Sequence, residues 1–527
     1  MPETVASPGS APGRLLERAV RRIPSDWRLP LGVLAGTQAI WLVWWAAYYP
    51  ALLSFDSVMY TWQVTTGNVS SDHSVLYDGF VWLALHLPGQ FGLLTLLQTT
   101  AASACLAYAC VAMRDLGVRA RWTVPAALLT AAFPSTGAFV VYVWKDVPFT
   151  LCGLLVFAAS ARLIALRKLP VEGAWWRPGS RRFDLLMLAT SLLGLGLFRN
   201  NGVGVALVAG LALVLVLPGL RVRVSALVLA AVVIPVVCQL WLFSAMGVKQ
   251  PPSDAVFAMN YSDVAVAYQE ASYLFTPADV AVLKAVAPMS TWKQGANCYS
   301  ADALTNTSAP FDHTVAREHS TELVGMWTKV LKERPDIILG ARICRGHIAW
   351  APFSDRTAPG ASTIIPGIAR VPHYWGFTDP AGSANPATGT ISPAGRMVGS
   401  PYLPALDSHP FSKKLNKAAT WVNLLFRVPQ LDWIIWRGAT WCYLGYAALA
   451  CYAIGRRRPA VYALGGVMLG LQLTLVAANP AELYRYNVVP LFIGPLCLGL
   501  IAARRGTEPR AAAEPVKEQR EPAELTA

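Results

Sequence analysis

Long apolar segments recur along this chain, and no other feature restricts its fold as strongly. A helix that crosses a bilayer needs about 20 mostly apolar residues, since about 30 Å of hydrocarbon must be crossed at about 1.5 Å per residue. Of the 527 residues, 54% are hydrophobic and only 14% are charged, whereas soluble domains carry about 25% charged residues. The sequence therefore predicts an all-α polytopic membrane protein.

The apolar segments predict about ten membrane-spanning helices, in a range of roughly nine to thirteen. They lie at 30–50, 90–113, 122–143, 147–166, 184–198, 202–220, 223–246, 433–454, 459–478 and 488–503. Basic residues cluster in every second connecting segment, as in Arg114 to Arg121 and Arg456 to Arg458. Because cytoplasmic loops are rich in Lys and Arg, both termini are predicted to be cytoplasmic. The net charge of +14 therefore indicates topology and not nucleic-acid binding.

This topology divides the chain into regions of different character. The first outer loop, 51–89, is too polar to span but rich in aromatic residues, which predicts helices lying in the membrane interface. The longest polar region is predicted to be an α-rich, loop-rich extracytoplasmic domain, with an amphipathic helix at about 314–335 and loops from 355 to 410. The predicted regions are a disordered cytoplasmic tail (1–28), a transmembrane core (29–246), the extracytoplasmic domain (247–432), C-terminal transmembrane helices (433–503) and a second disordered cytoplasmic tail (504–527).

The cysteines also separate by region. Seven of the nine lie in apolar spans, where a cysteine is usually a small buried hydrophobe. Cys298 and Cys344 lie in the long polar segment. A disulfide between them is expected if that segment faces an oxidising compartment, but the sequence leaves paired and free thiols equally open.

Several charged residues lie close to the predicted outer ends of the spans. Asp56, Asp72 and His73 occur in the first outer loop, and each alone is typical of a solvated surface loop. Lys145 and Asp146 end the third span, where an ion pair or a snorkelling lysine is an equally good explanation.

The fifth and last spans carry further candidates. Arg199, Asn200 and Asn201 follow a short span, and a charge near the membrane interior is rare and usually functional. Arg485 lies just before the last span beside Tyr486, and alone it is explained equally well as an interfacial anchor.

Taken together, these residues predict one site, because the topology places all of them at the same membrane face. A carboxylate can act as a general base on an acceptor hydroxyl. Cations can stabilise a phosphate that leaves. The combination is suited to transfer from a lipid-linked phosphate, whose tail can remain in the bilayer.

With these motifs, the chain resembles the GT-C class of integral-membrane glycosyltransferases, the superfamily of protein O-mannosyltransferases and lipid A aminoarabinose transferases, and most closely a bacterial branch of it. The resemblance covers about 50–490. It rests on Asp56, the Asp72-His73 pair, WKD at Trp144 to Asp146, RNNG at Arg199 to Gly202, the helix from Trp327 to Pro335, and RYNVVP with Arg485, Tyr486 and Pro490.

The resemblance implies an inverting glycosyltransferase of the bacterial plasma membrane that uses a polyprenyl-phosphate sugar as donor. Asp56 would be the base, and Lys145, Arg199 and Arg485 would bind the donor phosphate. Substrate positioning would fall to Asp72, His73, Asp146, Asn200, Asn201 and Tyr486. Many members carry an adjacent acidic pair in the first outer loop, whereas Phe55 and Ser57 flank Asp56 here, so a divalent metal stays open as a cofactor.

Two other classes of function remain as alternatives. A transporter or flippase for a lipid-linked or small polar solute also needs buried charge, but its site usually lies near the bilayer midplane between repeated halves, and the sequence has no apparent repeat. A structural or adhesive membrane protein would explain the outer domain but not RNNG. The expected partners are the lipid-linked sugar, membrane lipid and an extracytoplasmic glycan, lipid or protein acceptor. No nucleic-acid partner is expected.

Overall fold

The computed structural model describes residues 24–168, 171, 174–177, 180–305, 310–354, 397 and 399–503. The predicted tail at 504–527 and most of the predicted tail at 1–28 and of the predicted loops at 355–410 lie outside the described residues. Within the described ranges every regular element is helical, and strand-like pairing occurs only as isolated bridges. The predicted all-α fold is confirmed for this part of the chain.

The first half of the chain forms a bundle of mainly apolar helices. They are α1 (Ser25–Ala47), α2 (Phe55–Thr66), α3 (Val75–His86), α4 (Gly92–Asp115), α5 (Ala120–Ala132), α6 (Pro134–Val140), α7 (Asp146–Ala165), α8 (Arg181–Phe198), α9 (Gly202–Val216) and α10 (Arg221–Val237). A short 3-10 turn (Pro218–Leu220) precedes α10, which continues through a π-helical turn (Cys238–Leu242) into Phe243–Ala245.

Five helical segments in the described chain are long and apolar enough to cross a membrane, or six if the bent pair α5 and α6 counts as one span. They are Ser25–Ala47, Gly92–Asp115, Asp146–Ala165, Pro218–Ala245 and Pro459–Ala478. Large apolar side chains such as Leu215 and Leu240 are exposed on this bundle, at 74% and 73%. Such exposure is expected where lipid replaces water, so a polytopic membrane protein is supported, whereas the count of ten spans stays a prediction.

A separate helical domain is inserted after this bundle. We call it the inserted domain; it spans 253–345 and has its own apolar core around Tyr261, Leu283, Trp292 and Leu323. Its helices are α11 (Ser253–Val256), α12 (Ala258–Glu270), α13 (Pro277–Val286), α14 (Met289–Gly295), α15 (Asp302–Thr305), α16 (His313–Glu318), α17 (Ser320–Glu333) and α18 (Pro335–Arg345), with a 3-10 turn at Ser272–Leu274.

The remaining helices return to the bundle. They are α19 (His347–Trp350), α20 (Lys413–Leu425), α21 (Pro429–Ile435), α22 (Gly438–Arg456), α23 (Gly466–Ala478) and α24 (Val489–Leu498), with 3-10 turns at Leu403–Leu406, Pro459–Gly465, Tyr484–Asn487 and Gly499–Ala502. Leu406, Ala419 and Ile435 pack in the core of the bundle and not in that of the inserted domain. Of the predicted domain 247–432, the described residues from Leu403 to Leu425 therefore pack with the bundle and not with the inserted domain.

Candidate functional site

Asp56 is held in place by backbone pairing between two segments that are distant in sequence. The Leu52 amide donates to the Val141 carbonyl at 2.9 Å, and the Val143 amide donates to the Leu52 carbonyl at 3.0 Å. The Ser57 hydroxyl then donates to the Val143 carbonyl at 2.9 Å. These bonds place the first turn of α2, which carries Asp56, beside the WKD segment.

Arg485 closes the other side of Asp56. Its Nη1 donates to Asp56 Oδ2, and its guanidinium carbon lies 5.1 Å from the ring centroid of Trp144. The Trp144 indole donates to the Ser54 hydroxyl at 2.5 Å and stacks on Tyr142 with ring centroids 3.7 Å apart. The Trp144 ring thus orients the Arg485 guanidinium. The segment that carries Trp144 also orients the Asp56 carboxylate.

The charge state of Asp56 follows from this geometry. Burial alone would raise the pKa of the carboxyl, but it is outweighed by the positive charges of Arg485, of Lys145 and, at the acidic pH where this carboxyl titrates, of a protonated His73. Together they lower the pKa of Asp56 to about 2. Asp56 is therefore ionised at neutral pH, in the form that can accept a proton. A carboxylate with so low a pKa is a weak base while the arginine stays paired with it.

A second ion pair lies beside the first. Arg199 ends α8 and its Nη1 donates to Asp146 Oδ1 at 2.5 Å, with Asp146 1% exposed. The Arg199 guanidinium carbon also lies 4.5 Å from the ring centroid of Tyr486, and that of Arg485 lies 5.1 Å from the same centroid. Both guanidinium groups therefore lie against the Tyr486 ring, although the two arginines come from different halves of the sequence.

Lys145 contacts two residues of the first outer loop. Its Nζ lies 3.2 Å from His73 Nδ1 and 3.4 Å from the Asp72 carbonyl oxygen. Burial and the nearby lysine lower the pKa of His73, which favours a neutral imidazole that accepts from Lys145. The His73 ring also meets Tyr60 edge to face, with centroids 5.1 Å apart.

The RNNG turn depends on its glycine. A Cβ on Gly202 would lie 1.9 Å from the Leu195 carbonyl oxygen, so no other residue fits without a backbone shift. Asn201 Nδ2 lies 3.5 Å from the Thr474 hydroxyl, at the limit of a hydrogen bond. Asn200 is exposed. The turn thus positions Arg199 at the site, whereas neither asparagine side chain hydrogen-bonds to Asp56, Lys145 or Arg485 within the described residues.

Sequence reasoning missed a buried network that joins the inserted domain to the Arg485 segment; we call it the joint network. Glu482 Oε1 accepts from Arg437 Nη1 at 2.7 Å and lies 2.7 Å from His347 Nδ1. The Asn479 side chain donates to the Arg345 carbonyl at 2.7 Å, and Arg345 pairs with Asp263 at 2.9 Å. The only sequence signal was the nearness of Asn479 and Glu482 to the RY motif.

The two cysteines of the polar segment are joined in the structure. Cys298 and Cys344 form a disulfide with Cα atoms 5.7 Å apart, within the range for such bonds. The bond links the loop before α15 to α18, next to Arg345 of the joint network.

Another charged cluster lies near the ends of α7 and α8 that are far from Asp146 and Arg199. Arg162 Nε donates to Asp184 Oδ1 at 2.7 Å, and its Nη1 donates to Asp115. Tyr108 donates to the same Asp184 oxygen at 2.7 Å. This cluster is internally paired and the sequence places no candidate residue in it, so it is best explained as a structural tie between helix ends.

Within the described ranges, no group of three or more His, Cys, Asp or Glu side chains is arranged to hold a metal ion. Comparisons of the chain with protein-family models, with characterised proteins and with solved structures found no match in any of the three.

Proposed function

We propose that this protein is a membrane glycosyltransferase that moves a sugar from a polyprenyl-phosphate donor to an acceptor hydroxyl with inversion. One observation carries the proposal: Lys145, Arg199 and Arg485 meet beside one ionised carboxylate, Asp56, at the end of an apolar helical bundle. Nothing in local helix structure requires three cations from distant segments to meet. Like charges repel, so their meeting calls for anions that offset them.

The proposed reaction uses each group once. The acceptor oxygen attacks the anomeric carbon, its proton passes to the Asp56 carboxylate, and the bond between that carbon and the phosphate oxygen breaks. The phosphate keeps the bonding electrons and leaves as polyprenyl phosphate, with Lys145, Arg199 and Arg485 stabilising its charge. The acceptor oxygen attacks on the side opposite the leaving phosphate. This single displacement inverts the configuration at the anomeric carbon.

Donor binding would also activate the base. When Arg485 turns part of its hydrogen bonding toward the phosphate, Asp56 loses some of the cation that holds its pKa low. Burial, which raises the pKa of Asp56, then makes the carboxylate a better proton acceptor. The Asp56–Arg485 pair thus keeps Asp56 ionised before the donor binds. Donor binding then weakens this pair and makes Asp56 a stronger base.

The finer topology belongs to the same proposal. Ten spans, cytoplasmic termini and a bacterial plasma membrane would place the site and the inserted domain on the outer side, where lipid-linked sugars are used. A flippase would instead place its charged residues near the middle of the spans. The predicted site residues lie at helix ends: Asp56 in the first turn of α2, Arg199 at the end of α8 and Asp146 at the start of α7.

The test uses the full-length protein in proteoliposomes with a panel of radiolabelled polyprenyl-phosphate sugars. We expect one labelled donor to lose its sugar to an added membrane extract, and Asp56→Asn to abolish that loss while donor binding persists. Asp336→Asn, at an exposed ion pair of the inserted domain, is the matched control. Movement of intact label across the bilayer without bond cleavage would instead support the flippase. Full activity of Asp56→Asn would remove Asp56 from the base role.

A further inference from the structure

A short segment of the inserted domain is fastened to the loop that carries Arg485. We call residues 298–302 the strap. The Glu482 amide donates to the Tyr299 carbonyl at 2.9 Å, and the Ala301 amide donates to the Pro480 carbonyl at 2.8 Å. These bonds flank an antiparallel bridge between Ser300 and Ala481. The disulfide at Cys298 anchors the start of the strap, so its end has a fixed position relative to Arg485.

Asp302 stands at the end of the strap. It is exposed, and it makes no hydrogen bond or ion pair with any described residue. The carboxylates of Asp56 and Asp146, by contrast, are each paired with an arginine. An unpaired carboxylate on a fixed backbone is free to bind a ligand without first breaking a structural contact.

The charges that act on Asp302 agree with its position on the strap. Desolvation raises the pKa of its carboxyl. The charge of Arg485 opposes the rise and that of Asp56 adds to it. Tyr486 also feels the charges of both Asp56 and Asp302. The strap bonds therefore hold Asp302 beside the loop from Pro480 to Glu482 that leads to Arg485, on the side of the inserted domain.

We propose that Asp302 binds the acceptor: its carboxylate accepts hydrogen bonds from hydroxyl groups of a polyhydroxylated, glycan-type acceptor and aligns one of them with Asp56. The inference rests on the proposed function and extends it by assigning the acceptor side of the site to the inserted domain. The three cations serve the donor phosphate and would repel a cationic acceptor. A neutral hydroxyl-rich acceptor suits a site that offers one free carboxylate among cations.

Asp302 is a positioning residue in this proposal, so donor use and acceptor use must be measured separately. Full-length protein in nanodiscs is given a radiolabelled polyprenyl-phosphate sugar from the panel above. One readout is donor retained on the protein, a second is sugar released to water, and a third is sugar transferred to glycans of a membrane extract. The variants are Asp302→Asn, Asp302→Glu and the matched control Asp336→Asn.

We expect Asp302→Asn to lower transfer to glycans at least about tenfold, the size of a lost charged hydrogen bond, through a raised KM for the extract. Donor retention and release to water should stay within about twofold of the parent, and Asp302→Glu should recover part of the transfer. Unchanged transfer in Asp302→Asn, or an equal fall in transfer and in release to water, would overturn the assignment of Asp302 alone. A parent protein that neither retains nor cleaves any donor of the panel would overturn the proposed function, and this inference with it.

Discussion

The Arg485 guanidinium donates to the Asp56 carboxylate across 429 positions of sequence. The pair links the first loop of the bundle to the segment before its last helix, and it is partly open, with the two side chains 14% and 19% exposed. A purely structural pair would be expected to be closed off, as Arg437 and Glu482 are. Partial exposure leaves room for a third, anionic group to enter between them.

The first prediction concerns the pH range over which Asp56 stays ionised. In Arg485→Gln the main cation is lost and burial dominates, so the pKa of Asp56 should rise above its present value of about 2. The carboxylate then takes up a proton at a higher pH as the solution is acidified. The acid limb of the rate profile should move upward in pH, and an infrared carbonyl band should appear that is missing in Asp56→Asn.

Arg485→Lys provides the control, because it keeps a positive charge near Asp56 and should move the acid limb less. The infrared band is independent of turnover, so the result can be read even if Arg485→Gln is inactive. An unchanged band and an unchanged acid limb in Arg485→Gln would show that Arg485 does not set the charge state of Asp56.

The second prediction concerns the RNNG turn. Gly202→Ala places a methyl group against the Leu195 carbonyl oxygen, so the backbone must shift, at a cost of about 1–3 kcal/mol. Gly219→Ala is the matched control, since a Cβ there meets nothing within 4 Å. Thermal unfolding of both variants in detergent should show a lower midpoint for Gly202→Ala only. Equal unfolding midpoints for the two variants would mean that the turn tolerates the added methyl group without strain. Arg199 would then lack the fixed position assigned to it.

The third prediction concerns the disulfide. Cys298 and Cys344 are 46 positions apart, and closing a loop of that length removes about 4 kcal/mol of chain entropy from the unfolded state in the simplest treatment. Cys298→Ser and Cys344→Ser should lower the unfolding midpoint equally, and reductant should lower that of the parent but of neither variant. Cys451→Ser, at an exposed free cysteine, should leave the response to reductant intact. An unfolding midpoint of the parent protein that does not change with reductant would argue against the disulfide.

Apolar length made some helices predictable and left others undecided. Gly92–Asp115 and Asp146–Ala165 closely match predicted spans at 90–113 and 147–166, because a continuous apolar segment leaves few alternatives to a buried helix. Gly202–Val216 is too short to be counted as a span on length alone. The predicted helix at 314–335 is interrupted at His319, where α16 ends and α17 begins. A local break of this kind leaves the apolar periodicity nearly unchanged, so the sequence does not reveal it.

The site was predictable only as a set of candidates. Topology grouped Asp56, Lys145, Arg199 and Arg485 at one face, but it could not say which cation pairs with which carboxylate. Glu482 and Asp302 were missed because each looks like a loop carboxylate until the inserted domain folds back onto the bundle. Contacts between segments so distant in sequence leave no trace in local periodicity or spacing.

The last prediction separates the structural and the functional roles of the Arg199–Asp146 pair. Both side chains are nearly buried, at 10% and 1% exposed, so removing either partner leaves an uncompensated charge and should destabilise the protein by about 3–5 kcal/mol at most. If Arg199 also binds the donor phosphate, the two variants should differ in donor affinity. Arg199→Gln removes a phosphate ligand and should raise the KM for the donor, whereas Asp146→Asn frees Arg199 from a competing anion and should lower it.

Donor KM and the thermal midpoint are measured on the same preparations, with Arg334→Gln as the control from an exposed pair with Asp336. That control should move neither quantity, since an exposed ion pair is screened by solvent and contributes little to stability. Opposite shifts in KM with parallel losses of stability would establish a phosphate role on top of a structural one. A rise in KM of the same size in both variants would reduce the pair to a structural contact, because the arginine would then act only by holding Asp146 and the end of α8 in place.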